Sequence, residues 1–143
     1  MANKKTSVGT WSRLAQCYQK AQKHCRDALR NTGLTQPQYE VLSQVFDEEG
    51  IPLTRIGTNM NVTGGNITGI VDRLERDGLV KRKRDKEDRR IIRAFFTAKG
   101  KRLYQKATPS YDRFLKSTFG DVSDSELGRL QRGLDSLSKT LAD

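Results

Sequence analysis

The chain has a single histidine, two cysteines and three prolines among 143 residues, and no long apolar run. A lone histidine, His24, rules out a histidine-based metal cluster and any catalytic dyad with a second histidine, leaving a structural or surface role. Cys17 and Cys25 fall eight residues apart in one helical pattern. At a rise of 1.5 Å per residue that is about 12 Å along the axis, too far for a bridge within the helix. Idle or buried thiols in a reducing compartment are expected. No stretch approaches the roughly 18 apolar residues that span a bilayer, and the N-terminus lacks an apolar signal core. A soluble, cytoplasmic chain with no membrane partner is therefore expected. No acid, base, nucleophile or metal set converges, so neither catalysis nor a cofactor is expected. The glycines of Thr63–Gly69 do not make a phosphate loop, because the Gly-Lys-Ser/Thr ending is missing and no strand precedes them.

Hydrophobic residues are also scarce, at 34%, with a mean hydropathy of −0.75. A lone copy would have a thin core, a problem that amphipathic helices solve by packing against a second copy. Positive charge, in contrast, is abundant and concentrated. The net charge is +10, and the window from Arg73 to Arg102 alone holds 13 Lys/Arg against 5 Asp/Glu, a net +8. Such a cluster is the electrostatic footprint of a nucleic-acid surface, although membranes and acidic proteins also attract cations.

Apolar residues at Trp11, Leu14, Ala15, Tyr18, Ala21, Cys25, Ala28 and Leu29 recur every three or four positions, predicting a helix from Thr10 to about Asn31 after a polar tail, Met1 to Gly9. Gly33 ends it. Thr35 and Gln38 form a capping box, with Pro37 in the first turn of a second helix through Tyr39, Leu42, Val45 and Phe46. A short third helix is expected from Leu53 to Met60, with Thr54 as its cap. After a turn at Asn61-Val62, Thr63 caps a fourth helix that Gly78 stops. Leu79 to Lys83 and Ile91 to Phe96 read as two strands of a hairpin. Thr97 opens a long helix in which Pro109 should produce a kink or an interruption. Ser123 and Glu126 form a second capping box before Leu127, Leu130, Leu134, Leu137 and Leu141, a narrow seam of coiled-coil type. That seam, with Trp11 and Leu14 of the first helix, either pairs with a second copy or packs on the chain's own core. The thin core and the prevalence of two-fold dimers favour pairing.

Ile56, Met60, Val62, Ile67, Ile70, Val71 and Leu74 would lock two short helices at a fixed angle, the layout of a helix-turn-helix. Thr54, Arg55, Thr63, Gly64, Gly65, Asn66, Thr68 and Arg73 are then candidate DNA contacts. A helix so placed enters the major groove with its N-terminal residues toward base edges, and its free N–H groups suit phosphate. The charged tip that follows, Asp85-Lys-Glu-Asp88-Arg89-Arg90, cannot be core, because charges at this density stay solvated unless paired. Arg89 and Arg90, with Arg84 as a further candidate contact, would reach a polyanion, with Asp85 and Asp88 holding the arginines in one pose. The fold class implied is mainly α with a small β-hairpin wing, in a single domain (1–143). Residues 35–97 form the winged lobe, and 10–33 and 98–143 supply dimerisation helices.

Leu34-Thr35-Gln-Pro-Gln38-Tyr39-Glu-Val41-Leu42, the run Asp72-Arg73-Leu74-Glu75-Arg-Asp-Gly78-Leu79-Val80, and Asp88-x-Arg90 followed by Thr97-x-x-Gly100 resemble the MarR family of multiple antibiotic resistance regulators. The likeness runs over essentially the whole chain. It implies a homodimeric winged-helix transcriptional regulator, usually a repressor, that binds a palindromic double-stranded operator. Arg90 would enter the minor groove from the wing, braced by Asp88. Family members often release DNA on binding a small aromatic or phenolic effector, or on cysteine oxidation. Trp11, Tyr18, His24 and Tyr39 are candidates to line such a pocket, though aromatics at helical spacing are also ordinary core. Cys17 is the candidate for a redox-sensing alternative, which would require a depressed thiol pKa. A protein-interaction scaffold with an acidic partner is the other alternative.

Gly64, Gly65 and Gly69 depart from the family, which often places Ser, Lys, Arg or Pro there. Each interior glycine costs a helix about 0.8–1 kcal/mol relative to alanine. Either the missing side chains let the backbone approach DNA closely, or the first turn is frayed and orders on binding. Few base-reading side chains are left (Asn66, Thr63 and Thr68), so groove shape and the wing arginines should carry much of the specificity.

Overall fold

The computed structural model describes residues 1 and 3–141. Its first helix, α1, spans Lys4–Leu29 and starts six residues earlier than the apolar spacing predicts. The supposed tail is largely helical because Asn3 is a good N-cap, its Oδ1 accepting the Lys5 N–H at 2.9 Å. Val8 is the only apolar residue of moment in those turns, so periodicity has little there to detect. A single turn of 3-10 helix (Arg30–Thr32) follows, and Gly33 reverses the chain at φ 72°.

Helix α2 (Gln36–Asp47) starts at the expected capping box: Thr35 Oγ1 accepts the Gln38 N–H, and Gln38 Oε1 accepts the Thr35 N–H at 2.9 Å. A two-residue strand, β1 (Ile51–Pro52), then leads directly into α3 (Leu53–Asn59). Thr54 does not cap this helix. Pro52 occupies the N-cap position at φ −62°, and Thr54 already lies inside the first turn. Pairing of Ile51 with Ala94 sets where the chain leaves the sheet, and so where α3 begins.

Asn61, at φ 52°, turns the chain into α4 (Gly64–Arg76), which Thr63 caps by accepting the Asn66 N–H. Gly78, at φ 73°, leads to the hairpin strands β2 (Val80–Arg84) and β3 (Ile92–Phe96). The sheet is antiparallel in the order β1-β3-β2, with Val80 opposite Phe96 and Arg84 opposite Ile92. The hairpin therefore appears as expected, with an additional edge strand.

Helix α5 (Ala98–Phe119) runs through Pro109 without interruption. Proline removes the hydrogen bond to Gln105 C=O, but Gln105 and Pro109 both face solvent, where water can satisfy that carbonyl. Tyr104 and Ala107 on one side and Phe114 on the other are buried and hold the helix on the body. Thr108 Oγ1 also donates to Tyr104 C=O at 2.9 Å. Helix α6 (Asp124–Leu141) starts at the Ser123–Glu126 box, in which Glu126 Oε2 accepts from Ser123 N at 3.1 Å and Oγ at 2.7 Å.

One core unites α2, α3, α4, the sheet and the first half of α5, centred on Val41, Leu42, Val45, Ile56, Val71, Leu74 and Val80. Helix α1 buries only Cys25 and Leu29 in this core, with Ala28 packed against it, and α6 has no buried residue. Trp11 is 69% exposed and Leu141 72%, with Tyr18, Leu130, Leu134 and Leu137 also exposed. Leu14 and Leu127 are half-buried. Within one chain, then, the terminal apolar stripes do not pack on their own core. Among the described residues no helix is long and apolar enough to cross a membrane.

Candidate nucleic-acid interface

Helices α3 and α4 cross closely: a Cβ on Gly57 would lie 3.4 Å from both Ile67 Cγ2 and Val62 C=O. Ile56, Ile67, Ile70, Val71 and Leu74 are buried on the inner side, with Met60 and Val62 packed against them. This leaves Thr63, Gly64, Gly65, Asn66, Thr68 and Arg73 exposed along one side of α4, and Thr54 and Arg55 exposed on α3. Arg55 is paired with Glu48. Thr68 Oγ1 donates to Gly64 C=O at 2.9 Å, so its hydroxyl is partly committed to the helix itself. A Cβ at Gly64, Gly65 or Gly69 would meet nothing within 4 Å, and none of the three has a positive φ. Neither internal packing nor backbone conformation calls for glycine at these positions.

The wing tip is held by carboxylates. Asp88 takes Arg90 in a fork, Oδ1 accepting from Nε at 3.0 Å and Oδ2 from Nη2 at 2.9 Å, while Oδ1 also accepts the Arg90 N–H at 3.0 Å. The Arg90 side chain is nonetheless 91% exposed. The pairing lowers the Asp88 pKa and raises that of Arg90, in each case chiefly through their side-chain hydrogen bonds. Asp85 does a different job from its neighbour. Its Oδ1 accepts the Glu87 and Asp88 N–H groups at 2.9 Å each, and its Oδ2 accepts from Arg93 Nε at 2.6 Å. These contacts, the Asp88 amide foremost, pull the Asp85 pKa down to about 2. Arg93 Nη1 then donates to Gly50 C=O at 2.9 Å, tying the tip to β1. Arg84 Nη1 donates to Arg89 C=O at 2.7 Å and braces the hairpin, so part of its guanidinium is turned inward. Arg89 itself projects into solvent.

Two arginines that carry the geometry went unremarked among the sequence's cations. Arg93 fixes the tip, and Arg82 joins β2 to Asp72 and Glu75 of α4. The one sequence signal was the alternation along Lys81-Arg82-Lys83-Arg84, which puts Arg82 and Lys83 on opposite faces of the strand. Lys83 lies over the Phe95 ring at 5.0 Å instead.

The four candidate pocket residues do not converge within one chain. Trp11 and Tyr18 lie on the open face of α1. His24 lines a cavity with Asp27, Ala28, Ser110, Arg113 and Phe114, between α1 and α5. Tyr39 lines a second cavity of about 380 Å³, with Glu40, Ser43, Gln44, Asn59, Met60 and Tyr111. There Tyr39 and Tyr111 stack at 4.2 Å between centroids, and burial raises the Tyr39 pKa to about 12. Cys17 is exposed, whereas Cys25 is buried with its pKa raised, chiefly by desolvation. A raised value is the opposite of what a sensing thiol needs.

Residues 34–92 match the MarR family model. The chain is 34% identical over 113 residues to the helix-turn-helix (HTH)-type transcriptional regulator TtmR of Methylorubrum extorquens; the match takes in 79% of this chain and 55% of TtmR, so only about half of that relative's length is spanned. The HTH-type transcriptional repressor YetL of Bacillus subtilis is 30% identical over 112 residues, covering 77% of this chain and 67% of YetL. Among solved structures, CouR of Rhodococcus jostii RHA1 bound to p-coumaroyl-CoA superposes with a TM-score of 0.77 at 29% identity, over 87% of each chain. With an exposed helix-turn-helix, an arginine-tipped wing and these relatives, the chain belongs to the MarR family of winged helix-turn-helix DNA-binding transcriptional regulators.

Proposed function

We propose that the chain acts in the cytoplasm as a homodimeric, non-catalytic repressor on a palindromic duplex operator. Helix α4 enters the major groove, and Arg90 enters the adjacent minor groove. The observation that carries this is the Asp88–Arg90 fork: a guanidinium held by a carboxylate yet 91% exposed at the tip of the hairpin beside α4. A pre-set, solvent-facing arginine suits a narrow minor groove, whose negative potential attracts it. Thr54, Arg55, Thr63, Asn66, Thr68, Arg73, Arg84 and Arg89 supply further contacts. The glycines of α4 let its backbone approach the groove. Residues 10–33 and 98–143 form the dimer through Trp11, Leu14 and the α6 leucines; the exposure of Trp11, Leu130, Leu134, Leu137 and Leu141 in one chain supports this role.

Release by a small aromatic or phenolic effector is supported by the cavity beneath Tyr39 and Tyr111. Asn59 and Met60, at the end of α3, form part of its wall, so an occupant would bear on the helix-turn-helix directly. CouR, a relative in fold, is bound to p-coumaroyl-CoA. A ligand acts only by favouring a dimer whose two α4 helices are no longer one DNA turn apart.

Salt titration of duplex binding tests the proposal. With some 6–10 phosphate contacts, affinity should fall about 10³–10⁵-fold between 50 and 200 mM salt. Selection of genomic fragments on the purified protein should recover an inverted repeat. Failure to bind any duplex at low salt would point instead to a scaffold that docks an acidic protein.

A further inference from the structure

Arg82 stands apart from the other cations of the hairpin because the carboxylates that engage its guanidinium, Asp72 and Glu75, belong to α4. Nη2 donates to Glu75 Oε1 at 2.9 Å and Nε to Glu75 Oε2 at 3.3 Å. Nη1 lies 2.6 Å from Asp72 Oδ1. The Arg82 backbone N–H also donates to Glu75 Oε2 at 3.0 Å. Its side chain is 28% exposed, against 91% for Arg90. Asp72 and Glu75 are three residues apart on α4 and so share the face that looks at β2. Among the described residues, these are the only side-chain hydrogen bonds and ion pairs joining α4 to the hairpin strands.

A planar guanidinium gripping two carboxylates fixes orientation as well as distance. The two strands extend from this junction to the tip, so a small rotation here becomes a large displacement of Arg90. We propose that Arg82 is a positioning residue for DNA binding: through Asp72 and Glu75 it locks the wing to the recognition helix, so that α4 and Arg90 meet the duplex as one surface. The proposal rests on the DNA-binding function above. The hydrogen bond from Arg82 is also the main reason the Glu75 pKa is lowered, which keeps this partner ionised.

A different role would also weaken binding when Arg82 is lost: simple shielding of two carboxylates from phosphate. Glu75→Gln separates the two. It removes a negative charge close to the DNA, so shielding predicts unchanged or tighter binding, whereas a lock predicts weaker binding. The experiment uses the full chain and a duplex recovered by the fragment selection, with affinity read by fluorescence anisotropy at one fixed salt concentration. Thermal melts check that each variant is folded. Glu75→Gln and Arg82→Ala should each weaken binding about tenfold, and in an Arg90→Ala background the Glu75→Gln loss should shrink to under about threefold, because coupled residues act non-additively. Glu75→Gln is nearly isosteric and carries the comparison even if Arg82→Ala does not fold. The lock is overturned if Glu75→Gln binds as tightly as the parent, or if its loss is the same size with and without Arg90. A parent protein that binds no duplex overturns the function itself, and the lock with it.

Discussion

Glycine is used in two opposite ways in this chain. At Gly100 the fold demands it: a Cβ there would sit 1.8 Å from the Leu79 carbonyl oxygen. The start of α5 is clamped onto that turn, with Thr97 N–H donating to Leu79 C=O at 3.1 Å and Thr97 Oγ1 to Gly78 C=O at 2.6 Å. Gly100→Ala should therefore destabilise the protein by about 1–3 kcal/mol or more, as overpacking does, and urea denaturation would show the midpoint falling. At Gly65 and Gly69 the fold makes no such demand, since the space is empty. Alanine at either site should stabilise α4 by about 0.8–1 kcal/mol. If the backbone of α4 seats closely on DNA, the same substitutions should weaken duplex binding, so stability and affinity would move in opposite directions. Both rising together would instead support a first turn that is frayed in the free protein.

The wing is an element whose order depends on one carboxylate. Asp85 closes the tip through two backbone amides and holds Arg93, which in turn reaches Gly50 on the β1 side. Its pKa is depressed in the folded wing, from 3.8 to about 2. A depressed carboxyl contributes stability that is present in full above its unfolded pKa and lost as pH falls through the folded value. The Glu87 and Asp88 amide resonances should therefore keep their native NMR positions at pH 5 and move toward random-coil values as the pH falls from about 4 to about 2. Asp85→Asn should remove that step, because the side chain no longer titrates, and should leave the tip less ordered at neutral pH.

For the molecule as a whole, the decisive feature is the apolar surface left over. Leu130, Leu134, Leu137 and Leu141 are all exposed on α6, and Trp11 on α1. Fully burying one such side chain contributes about 1.5–3 kcal/mol, so a stripe of this length contributed twice over could hold two copies together. Leu134→Asp should split or weaken the proposed dimer, seen as a lower mass by sedimentation, and DNA affinity should fall with it because the two α4 helices would lose their fixed spacing. An unchanged dimer would show that the seam lies elsewhere. The +10 net charge works at the same level, drawing the protein to polyanions before any specific contact forms.

Features that depend on neighbours along the chain could be read before folding. The capping boxes at Thr35–Gln38 and Ser123–Glu126, the turn glycines Gly33 and Gly78, and the Asp88–Arg90 fork all involve partners within a few residues, so spacing specifies them. The inner faces of α3 and α4 were legible for the same reason, through helical periodicity. Long-range pairing was not. Strand β1 consists of two residues, one of them proline, and exists because Ile51 meets Ala94, 43 positions away. Arg82, Arg90 and Arg93 look alike in a basic run, yet folding turns the first toward α4, leaves the second in solvent and ties the third to Asp85 and Gly50. Which arginines are tied into the body and which stay exposed for DNA depends on the partners that the fold brings from other elements, Asp72 and Glu75 to Arg82 and Gly50 to Arg93, a pairing no local pattern encodes.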